Sequence, residues 1–150
     1  MGRLSLMGAA ELPSARDITK ARDAVAGVAI RTPLVRLNLA TDAQIYLKLE
    51  NLQPIGSFKL RGAAAVLASA TADEVAAGIV TASAGNMGQG AAWFAKRLGV
   101  PCTVVVPPTA PASKIGAMEA LGARVVPVSA EAFSWLQADL PHSNAVGFAE

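Results

Sequence analysis

Between Pro101 and Pro107 the chain runs Cys102-Thr103-Val104-Val105-Val106. The run is apolar and β-branched, and it does not alternate with polar residues. A strand of that kind fits where helices cover both of its faces. The two prolines fence it at its ends, where proline is tolerated. The surrounding sequence supplies such helices. Other β-rich runs occur at Gln44–Glu50, Gly78–Ala82 and Arg124–Val128. Strand and helix in repeated alternation predict βαβ crossovers and a parallel sheet, an α/β fold.

The helical stretches carry their own punctuation. Ser57 caps a helix through Phe58, Leu60, Ala64 and Leu67. Thr71 with Glu74 is a capping box, and its short helix stops at Gly78. Met87, Ala91, Phe94 (or Ala95) and Leu98 share one helical face that ends at Gly99. Pro111 suits a first helical turn, Ile115, Met118 and Leu121 form its apolar face, and Gly122 stops it. An earlier helix is expected from Ser14 or Ala15 to about Val28. The tail starts as a helix, Ala130 to Ala138. It continues as a loop through Pro141, His142, Ser143 and Asn144, and ends at Gly147-Phe148-Ala149-Glu150.

Composition narrows the function classes. Hydrophobic residues make up 53% of the 150 and charged residues 16%, which excludes intrinsic disorder. The apolar share exceeds what one small domain uses inside, although alanine supplies much of it. The net charge of +2 comes from scattered residues, so no nucleic-acid stripe is expected. One cysteine, Cys102, excludes a disulfide framework, and one histidine, His142, argues against zinc. Cys102 and the tryptophans Trp93 and Trp135 read as core, and His142 as a surface loop residue. Met1 to Ala10 reads as a loose leader, and no run approaches the length of a membrane span. The expectation is a soluble cytoplasmic protein with no nucleic-acid, membrane or metal partner.

Two loops stand out at the carboxyl ends of strands, where open α/β sheets gather ligands. The first is Asn51-Leu52-Gln53-Pro54-Ile55-Gly56-Ser57-Phe58-Lys59-Leu60-Arg61-Gly62. Lys59 opens a helix there. The partial positive charge of a helix N-terminus disfavours a second positive charge and favours a neutral amine nucleophile. The plain alternative is a lysine on a solvated helix. The second loop is Thr81-Ala82-Ser83-Ala84-Gly85-Asn86-Met87-Gly88-Gln89-Gly90. Its small residues let backbone N–H groups approach an anion, with Ser83 and Asn86 adding a hydroxyl and an amide. The plain alternative is a turn in which Ser83 or Asn86 only caps the helix. The loop is not a Gly-x-Gly-x-x-Gly fingerprint, and no phosphate-binding Gly-Lys-Ser/Thr loop is present.

Taken together the loops resemble a known family. Ser57-Phe58-Lys59-x-Arg61-Gly62-Ala63, after Lys48-Leu49-Glu50-Asn51-Leu52-Gln53, resembles the lysine motif of the threonine/serine dehydratases. These are pyridoxal 5'-phosphate enzymes of fold type II, the tryptophan-synthase-β-like fold. Ser83-Ala84-Gly85-Asn86-x-x-Gln89-Gly90 resembles that family's asparagine loop. Lys114, Leu121-Gly122-Ala123 and Val125 resemble its continuation, so the likeness runs from about Ser14 to Val128.

The resemblance implies roles. Lys59 matches the lysine that forms the Schiff base with pyridoxal phosphate and later acts as base at the substrate α-carbon. Phe58 matches a residue packed on the cofactor ring. Asn86 matches the asparagine that hydrogen-bonds the cofactor's 3'-oxygen. Ser83, Ala84, Gly85, Asn86 and Met87 match the loop that holds the substrate α-carboxylate. The implied reaction is β-elimination, which converts threonine or serine to a 2-oxo acid and ammonia. The implied partners are a small hydroxyamino acid and, at full length, further copies of the same chain.

Departures from the family pattern qualify the expectation. Met87 stands where the family commonly has histidine, and Ala84 where serine racemases carry a second catalytic serine. The family's glycine-rich phosphate cradle and its pyridine-nitrogen partner have no counterpart in the sequence. The expected division is a leader, helix and extended segment over 1–43, joining a large lobe; an α/β small lobe carrying the lysine over 44–128; and a divergent or truncated tail over 129–150. The alternative functions are a catalytically incomplete module of the same fold, or another type II activity, synthase or racemase. The Ser-Ala-Gly-Asn loop favours dehydratase over synthases, and Ala84 favours dehydratase over racemase.

Overall fold

The computed structural model describes residues 12–67, 70–139 and 146–148. The expected leader Met1–Ala10 and the loop residues Pro141, His142, Ser143 and Asn144 lie outside the described residues.

The chain opens with helix α1, Ala15–Ala24. Ser14 caps it in a full capping box with Asp17, whose carboxylate accepts from the Ser14 backbone at 2.9 Å. The helix stops at Ala24, short of the expected Val28, and the chain turns through Gly27 at φ +77°. Two short strands follow, β1 (Leu34–Arg36) and β2 (Tyr46–Lys48). A 3-10 turn, Glu50–Leu52, leads to α2 (Lys59–Leu67). Helix α3 (Ala72–Ala76) carries the predicted capping box of Thr71 and Glu74. The rest alternates: β3 (Ile79–Ala82), α4 (Asn86–Leu98), β4 (Cys102–Val106), α5 (Ala112–Ala120), β5 (Arg124–Pro127), α6 (Ala130–Asp139) and β6 (Val146–Phe148).

The main sheet has the order β5-β4-β3-β6. β3, β4 and β5 are parallel, with Val104 opposite Thr81 and Val125. Two expectations need correction. First, Gln44–Glu50 does not enter the parallel sheet. Its strand, Tyr46–Lys48, pairs antiparallel with Leu34–Arg36 in a separate ribbon. Leu34-Val35-Arg36 lies close enough upstream for a hairpin, which needs no crossover helix. Second, the tail adds β6 antiparallel to β3, so the sheet is mixed.

The core forms between the sheet and helices α2, α4 and α5. Val104, Val106, Ile79, Ala91, Ala92, Phe94 and Met118 are buried there. Cys102 is buried among them, as expected. Trp93 packs edge-on against Phe94 and lies partly buried on the core. Trp135 departs from its expected core role and is 67% exposed on α6. Leu98 also departs from its face: it sits in the last turn of α4 and is exposed. The ribbon β1–β2 is exposed along its whole length, with Leu34, Val35, Tyr46 and Leu47 uncovered. The apolar share of the composition therefore goes partly to the surface, around the first 60 residues. No helix among the described residues is long and apolar enough to cross a membrane.

Candidate active site

Parallel pairing puts the loops after β3 and β4 at one edge of the sheet. α4 leaves the first loop and α5 the second, so two helix N-termini meet there. Neither helix has an acidic residue in its first turn. Both termini therefore contribute uncompensated partial positive charge to that edge.

The loop after β3 is built around Ser83, which is buried. Its backbone N–H continues the ladder to the Val105 carbonyl at 3.0 Å. Its Oγ accepts from the Gly88 N–H at 3.1 Å and from the Gly85 N–H at 3.3 Å. The hydroxyl thus caps α4 and keeps its own proton available for a further acceptor. Gly85 takes the N-cap position with extended backbone (φ −141°). The first-turn N–H groups of Asn86 and Met87 have no partner within the helix. Lys114 reaches over from α5, and its ammonium donates to Asn86 Oδ1 at 2.5 Å.

Two glycines let α4 approach its neighbours. A Cβ on Gly90 would stand 3.2 Å from Ala63 Cβ and 3.5 Å from the Lys59 carbonyl. A Cβ on Gly88 would stand 2.7 Å from Met118 Sδ, 3.0 Å from Val104 Cγ1 and 3.2 Å from the Ser83 carbonyl. The first residue of α2 therefore lies against α4 one turn from Asn86, a rise of about 6 Å. This packing joins the two loops singled out in the sequence.

Lys59 is the first residue of α2, and its N–H donates to Ser57 Oγ at 3.3 Å. Its Nζ lies 5.4 Å from the centroid of the Phe58 ring. It makes no hydrogen bond or ion pair with any described residue, so the amine is chemically uncommitted. Phe58 is 58% exposed, its ring set beside the Lys59 amine. Ala84, Gly85, Asn86 and Met87 are each partly buried. Met87 turns away from the loop: its Cε lies 3.7 Å from where a Gly62 Cβ would stand, in the seam between α4 and α2.

A polar clamp that sequence reasoning passed over holds the lysine loop. Arg61 donates to both oxygens of Glu50 at 2.8 Å and to the Ile30 carbonyl at 2.9 Å. Thr32 also donates to Glu50. Gln53, buried at 3% exposure, donates to Glu50 at 3.2 Å and bonds both backbone groups of Ile30. The Arg61 guanidinium holds the Glu50 carboxyl down to about 2, against burial, which opposes the charge. The available signal was an acidic and a basic residue, Glu50 and Arg61, on either side of one loop, with Gln53 between them.

A cavity of about 670 Å³ lies beyond α1, lined by Arg22, Arg31, Lys48 and Arg61 among others. Lys59, Ser83 and Asn86 do not line it, and three of its four cations are held internally: Arg22 by Asp23, Arg61 by Glu50, Lys48 by the Thr32 carbonyl. Among the described residues no cluster of histidine, cysteine and carboxylates is placed to hold a metal.

The arrangement has a clear chemical character. It offers an uncommitted primary amine, an exposed aromatic face, a buried hydroxyl with a free proton, an oriented amide and two positive helix ends. Such a set suits a carbonyl compound that carries anionic groups.

Comparison with known proteins agrees. The family described as "Pyridoxal-phosphate dependent enzyme" matches residues 25–146. An L-threonine ammonia-lyase of Thermotoga maritima is 45% identical over 113 residues, 73% of this chain and 28% of that protein. An L-threo-3-hydroxyaspartate ammonia-lyase of a Pseudomonas species is 43% identical over 119 residues, 77% of this chain and 37% of that protein. The structure of maize serine racemase superposes with a TM-score of 0.72 at 29% identity, covering 83% of this chain and 40% of that one. The chain thus spans between about a quarter and two fifths of these three proteins.

Proposed function

This chain belongs to the pyridoxal-phosphate dependent enzymes, with the type II fold, and from that premise we propose that it carries the lysine half of a threonine or serine ammonia-lyase site. In this reading the substrate is a small hydroxyamino acid, and the products are a 2-oxo acid and ammonia. The observation that carries it is the close packing of α2 on α4 at Gly90, which joins Lys59 to the Ser83–Met87 loop.

The residues present fit the aldehyde, one ring face and the 3'-oxygen of the cofactor, while its phosphate and ring nitrogen have no counterpart in this sequence. Lys59 is the amine that would hold its aldehyde carbon, since among the described residues Nζ makes no hydrogen bond or ion pair and only rests near the Phe58 ring. Phe58 offers a free ring face beside that amine. Asn86 presents its amide N–H edge, because its oxygen is already held by Lys114. Bound there, pyridoxal phosphate supplies an electron sink for the substrate α-carbon. The Lys59 amine would serve as the base that takes the α-proton. Ser83 and the free N–H groups at the start of α4 hold the substrate carboxylate at the positive helix end. Over the whole reaction the hydroxyamino acid would lose its β-hydroxyl and its amino group, giving a 2-oxo acid and ammonia.

Residues 44–128 form the small lobe in this reading, residues 1–43 join a large lobe, and 129–150 form a divergent tail. The ribbon β1–β2 crosses the first of these boundaries, since Leu34–Arg36 pairs with Tyr46–Lys48, and its exposed residues leave a surface for a further lobe to cover. A racemase is the second reading, favoured by the superposition on maize serine racemase. Ala84 weighs against it, since a methyl cannot donate a proton on the opposite face of the substrate.

The test is direct. Pyridoxal phosphate is added to the purified protein, and the visible absorption band of a lysine adduct, its reduction by borohydride and ammonia release from threonine and serine are measured. A band that disappears in Lys59→Ala, with ammonia release, is the expected result. Racemisation without ammonia selects the second reading. A band that persists in Lys59→Ala refutes the assignment of Lys59.

A further inference from the structure

Lys114 occupies an unfavourable place for a lysine. It lies in the first turn of α5, where the partial positive charge of the helix end repels an ammonium ion. The start of α4, also positive, is next to it. No carboxylate offsets the charge: the ion pairs among the described residues are Arg22–Asp23 and Arg61–Glu50. Among the described residues the ammonium makes one hydrogen bond, to Asn86 Oδ1 at 2.5 Å, between partly buried groups.

That contact fixes the amide. An ammonium is a donor only, so the Asn86 oxygen must face it. The amide nitrogen then faces away from Lys114, with its two N–H bonds presented to the space in front of the loop. A positive charge on the oxygen also polarises the amide and strengthens those N–H groups as donors to an electron-rich oxygen.

We propose that Lys114 is a positioning residue that holds Asn86 as an oriented, polarised donor toward the oxygen of the bound cofactor. The proposal rests on the reading above, in which Asn86 faces pyridoxal phosphate. Lys114 itself does not touch the reacting atoms. The contact with Asn86 Oδ1 offsets part of its cost to α5, and an anionic oxygen on the amide N–H groups would complete the chain Lys114–Asn86–ligand.

The test compares Asn86→Ala, Lys114→Met, Lys114→Arg and the double variant Asn86→Ala/Lys114→Met in the complete protein. Cofactor affinity is read by absorbance titration, together with the position of the visible band. Lys114→Met is expected to bind pyridoxal phosphate about tenfold more weakly and to displace the band. Lys114→Arg, which keeps charge and donor, restores the band and comes within about threefold of the parent affinity. The double variant is no weaker than Asn86→Ala alone, because Lys114 acts through Asn86. An unchanged titration and band in Lys114→Met, beside altered ones in Asn86→Ala, overturns the proposal and leaves the role of Asn86 standing. Additive losses in the double variant also overturn it, by giving Lys114 an independent role. Unchanged behaviour of Asn86→Ala overturns the reading of Asn86 and the proposal with it. Should Lys114→Met fail to fold, Lys114→Gln, a shorter and neutral side chain, removes the charge and carries the same expected and contrary outcomes.

Discussion

Arg61 closes on Glu50 as a fork, with Nε and Nη2 each 2.8 Å from one carboxylate oxygen. The pair spans eleven residues and ties the first turns of α2 to the 3-10 turn that precedes the lysine loop. The same guanidinium reaches the Ile30 carbonyl, so one side chain joins three segments. Lys59 lies two positions before Arg61, and its placement therefore depends on this clamp.

Truncating one partner should cost more than the pair's net worth, since the other charge is left behind half-buried. Glu50 is 17% and Arg61 34% exposed, so water screens part of the loss. Arg61→Met is expected to lower stability by about 1–3 kcal/mol, measured as a shift of the urea midpoint. Arg61→Lys should recover little of this, because a point charge cannot make the two-pronged contact. Full recovery with lysine would show that charge alone matters.

The same clamp sets an acid response. Glu50 titrates at about 2 in the folded chain, below its ordinary value of 4.5. A depressed carboxyl stabilises the fold above its unfolded value, and that contribution fades as pH falls from about 4.5 toward 2. Glu50→Gln should therefore be less stable than the parent at pH 6, with a difference that shrinks through this window. Urea midpoints at pH 6, 4 and 3 measure it. A difference that stays constant with pH would place the effect in packing.

How much of this was legible beforehand depends on the range of the interaction. Cys102–Val106 announced a covered strand because one short segment contains the whole signal. The capping boxes at Ser14 and Thr71 were local too; the second was read and the first was reduced to a helix start. Lys59 and Ser83–Met87 were legible as two loops with a chemical character. Their junction was not, because it depends on Gly90 meeting Ala63 across two helices. The run Gln44–Glu50 pairs outside the parallel sheet for a related reason: β propensity marks a strand but does not choose its partner. Lys114–Asn86 and Arg61–Glu50–Ile30 join residues 28, 11 and 31 positions apart, beyond the reach of periodicity.

Two glycines on neighbouring helices should respond oppositely to alanine. Gly88→Ala forces a methyl to within 3.0 Å of Val104 and 3.2 Å of the Ser83 carbonyl, neither of which can swing aside as the Met118 thioether can. A loss of about 1–3 kcal/mol is expected, with α4 pushed off β4. Gly116 lies within α5, is exposed, and a Cβ there meets nothing within 4 Å. Gly116→Ala should gain about 0.4–1 kcal/mol by restricting the unfolded chain and favouring helix. Thermal melts of the two variants decide the matter, and equal shifts in one direction would contradict the packing described.

Cys102 offers a probe of the core without any substitution, as the single cysteine of the chain. It opens β4 at 6% exposure, and burial pushes its thiol up to about 11. The reactive thiolate is therefore scarce at pH 8, and the sulfur is shielded as well. A disulfide reagent should modify the folded protein slowly at pH 8 and rapidly in urea, with the rate rising along the unfolding transition. Because β4 is the central strand of the parallel set, its opening requires loss of the sheet that aligns the Ser83 and Lys114 loops. Rapid labelling of the native protein would mean that β4 opens independently, and that the alignment of those loops is not tied to global stability.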